Sequence, residues 1–202
     1  MIDYSYILKE HIPHAGSDII IRLLAKYEVQ LRVTKKRISK LGDYNPKTNK
    51  TPHKISINGN LNRYAFLIIL LHELAHLMNY IKYGRKVNPH GAEWKEEFRS
   101  LSSGFLELRV FPENIHSAFV KYMDNPKAVT YSHRELKIAL NYYDKDSNTH
   151  FLETLPTDAV FRLNNKVFRK GHIIRKRYKC TEIPSGKKYV ISPLAPVKIV
   201  DK

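Results

Sequence analysis

Between Asn62 and Tyr83 the sequence is apolar on nearly every side of a helix. Such a helix is stable only when other elements surround it, so the rest of the chain must build a core around this segment. With 43% apolar and 27% charged residues, the 202-residue chain has the material for that core, which excludes a wholly disordered protein. The longest unbroken apolar run, Ala65 to Leu71, falls short of the ~20 residues that a bilayer-spanning helix needs. No membrane segment is expected, and Met1-Ile2-Asp3-Tyr4-Ser5 lacks the basic and apolar regions of a secretory signal.

That apolar run leads directly into His72-Glu73-Leu74-Ala75-His76. Two histidines four residues apart on a helix project from one face, about one turn apart, and can share a metal ion. Two imidazoles and a carboxylate inside so apolar a segment need partners. A zinc ion satisfies the imidazoles, and Glu73 beside the first ligand is placed to act as general base on a zinc-activated water, whose pKa falls to roughly 7. A catalytic zinc takes three protein ligands and keeps one position for water. His90, in His90-Gly91-Ala92-Glu93-Trp94, fits the third place: Gly84 ends the helix, Asn88-Pro89 turns the chain back, and Gly91 lets the backbone approach. Its rivals are Glu93, Glu96 and Glu97. Candidates for oxyanion stabilisation nearby are Tyr80, Tyr83 and Arg85.

Around this motif the pattern predicts a short amphipathic helix over 17–27 and strands at Val29 to Thr34 and Lys54 to Ile57. Gly42-Asp43-Tyr44-Asn45-Pro46 has the composition of a polar turn. A further helix is predicted over Glu93 to Leu101. Residues 105–156 look helical with loops, including a helix after Pro112 and another over Ser132 to Tyr143. From 157 onward the character changes to short β-like runs, with Ser185-Gly186 as a hairpin turn.

His72-Glu73-Leu74-Ala75-His76, a spacer, and His90-Gly91-Ala92-Glu93-Trp94 together resemble the SprT-like (Spartan-type) zinc metalloproteases. That family carries HExxH on its active-site helix, then a histidine followed by glycine and, three residues later, an aromatic. The segments Arg37 to Tyr44 and Ile55-Ser56-Ile57-Asn58 resemble the family's strands before that helix. The resemblance covers about residues 17–105 and assigns His72, His76 and His90 to one catalytic Zn2+ and Glu73 to catalysis. It implies a small α+β metallopeptidase core, zincin-like, with a short sheet packed on the HExxH helix. With the patterns read above, the expected organisation is that core over 1–105, a helical extension over 106–156 and a basic β-rich subdomain over 157–202 that resembles a cysteine-poor zinc ribbon. The resemblance further implies cleavage of proteins bound or crosslinked to DNA. One departure matters. Several family members pair cysteines in the ribbon, whereas this chain has only Cys180, so a second, structural zinc is not expected and the tail would be held by Phe161, Phe168, Tyr178, Tyr189 and Val190.

Charge points to a partner. The chain carries a formal +16, and in 157–202 twelve Lys and Arg against three Asp and Glu account for +9 of it. Nucleic acid is the leading anionic partner and an acidic membrane surface the second. Arg169, Lys170, Arg175, Lys176, Arg177 and Lys179 are the candidate contacts for single-stranded or damaged DNA. On a strand, Arg175, Arg177 and Lys179 would form one row. Lys35, Lys36, Arg37 and Lys40 could extend that surface towards the active site. His11, His14, His53, His116, His133, His150 and His172 are expected at the surface or as caps, and Cys180 as a small packed residue. With one thiol and no signal, a reducing cytoplasm, the nucleoid included, is the expected location. The competing reading is a nucleic-acid-binding module whose zinc is structural or vestigial; a zinc hydrolase of a non-peptide substrate is a third.

Overall fold

The computed structural model describes residues 4–144 and 150–200. They form a mixed α+β structure with six α-helices and two sheets. The chain separates into two compact units, 1–144 and 145–202. The sequence suggested breaks after 105 and after 156. Instead the helices after 105 share the first unit's buried cluster, through Phe111, Ile115, Phe119, Leu136 and Leu140. The expected helical extension also runs through 145–149, and the N-terminal reading through 1–3; both stretches lie outside the described residues.

The first unit begins with helix α1 (Ser5–His11), which the sequence pattern did not announce, then α2 (Ser17–Lys26). Strands β1 (Val29–Thr34), β2 (Gly42–Asn45) and β3 (His53–Asn58) make a three-stranded sheet in the order β1-β3-β2. β1 runs parallel to β3 with Leu31 opposite Ile55, while β2 is antiparallel, with Gly42 opposite Ile57 and Tyr44 opposite Ile55. Alternation explains the packing, since Val29, Leu31, Ile55 and Ile57 are buried and their neighbours Gln30 and Lys54 exposed. Gly42 to Asn45, expected as a turn, is an edge strand. Its polar residues accept that place because only one of its edges is paired and one face stays open.

Helix α3 (Arg63–Tyr83) is the predicted central helix, with fourteen buried residues. By length and composition alone it could cross a membrane; here most of it is enclosed by protein. Asn62 caps it by accepting hydrogen bonds from the Tyr64 and Ala65 amides at 3.1 and 3.0 Å. The same side chain donates to the Leu140 carbonyl and to Asp144, tying the helix start to the far end of the unit. Gly84, at φ +63°, ends it in a conformation that glycine adopts readily. Helix α4 (Ala92–Glu107) runs farther than the predicted Leu101, and α5 (Glu113–Asp124) starts after Pro112. A short 3-10 turn at Thr130–Ser132 leads into α6 (Arg134–Asn141), capped by the His133 ring.

The second unit is a six-stranded sheet. Strands β4 (His150–Phe151), β5 (Val160–Leu163), β6 (Lys166–Ile174), β7 (Arg177–Glu182), β8 (Lys188–Ile191) and β9 (Pro196–Ile199) lie in the order β4-β9-β5-β6-β7-β8. The predicted hairpin turn stands between β7 and β8, with Gly186 at φ +66°. Phe161, Phe168 and Cys180 are buried on one face, against Leu152, Leu155 and Val197, with Tyr178 and Tyr189 packed beside them. Val190, expected among these, is 57% exposed. Its partner in the ladder is Lys179, one residue out of step with buried Cys180, so it faces the other way.

Candidate metal centre

On α3, His72 and His76 project one turn apart, and the chain after Gly84 folds back to deliver His90. The Nε2 atoms of His76 and His90 each lie 3.2 Å from His72 Nε2. An ion bound tetrahedrally at 2.0–2.1 Å from each nitrogen holds them about 3.3 Å apart, so the spacing fits a shared cation. Among the described residues these three histidines form the group able to hold a metal ion, and no carboxylate joins it. Of the rivals, Glu97 is buried and paired with Lys82 on α3, and Glu96 is exposed. Glu93 lies with its Oε2 3.0 Å from where a side chain on Gly91 would begin.

Aromatic packing holds the imidazoles. The Trp94 ring lies 4.6 Å from His72 and 5.4 Å from His76, tilted to both, and 4.8 Å from His90, edge to face, with Phe98 stacked behind it at 5.2 Å. The Trp94 indole also donates to the His72 carbonyl at 3.4 Å. Trp94 wedges α4 against α3, as the sequence suggested. Burial, reinforced by the neighbouring His76 and His90 rings, holds His72 down to about 2; burial and His90 hold His76 near 4; burial lowers His90 as well. All three therefore offer neutral lone pairs at neutral pH, the form that binds metal.

Glu73 is 7% exposed and faces the same cleft. Burial pushes its carboxyl up to about 8; Asp43 adds to the rise, and Arg37 and Lys40 oppose it. The edge strand β2 lies against it. A side-chain carbon on Gly42 would stand 2.5 Å from Glu73 Oε1 and 2.6 Å from Ile69, so only glycine lets the strand come this close. Asp43 is itself buried in part, which would raise it, yet Lys40 and Asn45 hold it below the usual carboxylate range. Arg37 secures the loop before β2 by donating to Asn58 Oδ1 at 2.8 Å and Ser56 Oγ at 2.9 Å. Arg37 and Lys40 are thus committed within the protein, while Lys35 and Lys36 remain exposed.

The cleft has a volume of about 1030 Å³ and runs past His72, Glu73, His76 and His90 between β2 and the segment 128–131. Of the oxyanion candidates, Tyr80 and Arg85 line it and Tyr83 does not. Asn79, Val87, Thr130 and Tyr131 line it too, and carried no signal in the sequence. Tyr44 and Tyr80 meet edge to face at 6.3 Å, and the Tyr44 hydroxyl pairs with His53 Nδ1 at 2.9 Å. His53, expected at the surface, is buried because β3 carries it beneath that pair.

The second unit sorts the basic residues by strand geometry. Lys170, expected on the charged surface, is 4% exposed. Its ammonium donates to the carbonyls of Glu153 and Leu155 and sits 4.2 Å from the Tyr178 ring centroid. It faces inward because it alternates with Arg169 on β6. Arg175 lies outside β7 in the β6–β7 turn, at φ +55°, so it does not share a strand row with Arg177 and Lys179. Arg169, Arg175, Lys176 and Arg177 are exposed and Lys179 half-buried. Ladder register joins Arg169 to a larger basic face: Arg162 pairs with Lys198, Arg169 with Thr181, and Thr181 with Lys188.

An HExxH helix, a returning third histidine and a buried carboxylate beside an edge strand give an α+β protein with three histidines able to hold a metal ion and a carboxyl next to them. The chain belongs to the SprT-like family, whose model matches residues 14–116. No curated protein and no solved structure matches it.

Proposed function

We propose that this protein is a zinc-dependent peptidase with a zincin-like core, cleaving proteins associated with or crosslinked to DNA. The observation that carries the reading is the convergence of the His72, His76 and His90 nitrogens with Glu73 beside them. A bound Zn2+ supplies a Lewis acid that acidifies water and polarises a carbonyl. The chain's own residues do the rest. The three imidazoles enter neutral, so no proton has to leave before the metal binds at neutral pH. Glu73, buried beside the three imidazoles, takes a proton from water and returns it to the leaving amine. The cleft admits an extended chain alongside β2. Family membership supports the hydrolase reading, and a carboxylate held against the site argues against a purely structural ion.

The basic face of the second unit is the proposed DNA contact, with Arg169, Arg175, Lys176, Arg177 and Lys179 from the original set, joined by Arg162, Lys188 and Lys198. It offers cations without aromatic rings, the composition for holding phosphates regardless of sequence. This tail would be a cysteine-poor counterpart of a zinc ribbon, and the protein would work in the cytoplasm, at the nucleoid.

The deciding experiment measures zinc per chain and cleavage of a protein substrate with and without single-stranded DNA. One zinc per chain is expected, with Glu73→Gln keeping it and losing at least about a hundredfold in cleavage rate. Undiminished cleavage by Glu73→Gln would remove the general-base role. Zinc without any cleavage, with or without DNA, would leave a nucleic-acid-binding module with a structural ion.

A further inference from the structure

One polar side chain in the cleft is not used by the metal centre or by Glu73. Asn79 stands on α3 three residues after His76 and seven after His72, which puts it on the same helical face, one turn farther along. It lines the cleft where Tyr80, Arg85 and Val87 form the walls. It is 5% exposed, and its Oδ1 is buried with no hydrogen-bond partner among the described residues. An orphaned buried amide oxygen costs stability, and most buried side-chain polar atoms do find a partner. A leucine at this position would leave no polar atom unpaired. The amide is worth its burial only if a partner arrives with a ligand.

The position limits what that partner is. Asn79 is not one of the three candidate metal donors; it lines the same cleft from a position one helical turn beyond His76. An asparagine side chain is chemically a peptide unit, with a carbonyl acceptor at one end and N–H donors at the other. Its Oδ1 is covered in the free protein, so a turn of the amide about its last side-chain torsion is part of the contact; so turned, it can accept from a backbone N–H or donate to a backbone C=O of an extended chain, whatever side chains that chain carries.

Resting on the peptidase reading, we propose that Asn79 is a substrate-anchoring residue, gripping one backbone amide of an extended polypeptide in the part of the cleft beyond His76. The ligand class is unfolded polypeptide, and the grip is indifferent to sequence.

The test compares Asn79→Leu with the parent, zinc-loaded, using fluorescently labelled casein as an unstructured probe. Cleavage should show KM raised about tenfold, the worth of one hydrogen bond, with kcat within about twofold. In a Glu73→Gln background, casein binding measured by anisotropy should weaken by the same factor. Zinc affinity should be unchanged, and the metal-free variant should melt no lower than the metal-free parent, which separates anchoring from a structural role. Unchanged KM and unchanged casein binding would overturn the proposal. So would a loss of zinc affinity, which would show that Asn79 orients a ligand histidine. If the parent binds casein through the Asn79-dependent step but does not cut it, the peptidase reading fails while the anchor stands. If casein binds neither protein, the anchor fails.

Discussion

At the scale of single residues, the site is governed by desolvation. The three imidazoles and Glu73 are pushed in opposite directions by the same burial, the bases towards neutral nitrogen and the acid towards neutral carboxyl. Both shifts favour uncharged groups around the candidate ion site. The sign of the resulting pH dependence follows. A carboxyl whose folded pKa of about 8 stands above its ordinary value of 4.5 adds stability below 4.5 and loses it as pH rises through 8. In metal-free protein, Glu73→Gln should therefore match the parent near about pH 4 and become progressively more stable than it up to about pH 9. Urea unfolding at those two values checks this, the histidine contributions being common to both proteins. A difference that stays constant with pH would place the carboxylate in solvent. His72, Glu73 and His76 were legible because a spacing of four on a helix is local geometry. Asn79 was not, since an asparagine in an apolar run looks like any tolerated polar residue until its surroundings show that nothing meets it.

At the scale of elements, the relation between β2 and α3 matters most. Composition made Gly42 to Asn45 a turn, because Gly, Asp and Asn favour turns when judged alone. Resemblance to the family pointed instead to a strand there, and the structure has one over part of that segment. The strand exists because β3 offers it a partner edge and because Gly42 removes the one side chain that would collide with Glu73. Gly42→Ala should displace the Glu73 carboxylate or lift the strand from the helix. A fall in cleavage of about tenfold or more, with zinc content intact, is the expected outcome; structural metal analysis beside kinetics checks it, and full activity would show that the strand does not limit the carboxylate. Strands β1 and β3 were legible from alternation over buried positions. α1 was not, because a helix with Leu8 as its buried residue carries little periodic signal.

At the scale of the whole molecule, charge and fold divide between two compact units, one carrying the three-histidine cluster and the other a strongly basic sheet. A count of basic residues predicted the charge but not its distribution, since alternation along β6 turned Lys170 inward and Arg169 outward. Two variants should separate accordingly. Arg169→Ala should weaken DNA binding and lower the slope of log affinity against log salt by about one. Lys170→Met should leave that slope unchanged while lowering the unfolding midpoint, because it strips the Glu153 and Leu155 carbonyls of their donor. Binding titrations across salt concentrations with thermal melts check both, and equal slopes for Arg169→Ala and parent would remove this face as the contact. What the amino-acid order alone determined is the central helix, its two histidines and carboxylate, and the candidate return of His90, because helical spacing and chain-turning residues act over short stretches. What only tertiary packing decided is which donors converge, how near β2 approaches Glu73, and which lysine is withdrawn from solvent, because each depends on contacts between segments far apart in the chain and on the water those contacts exclude.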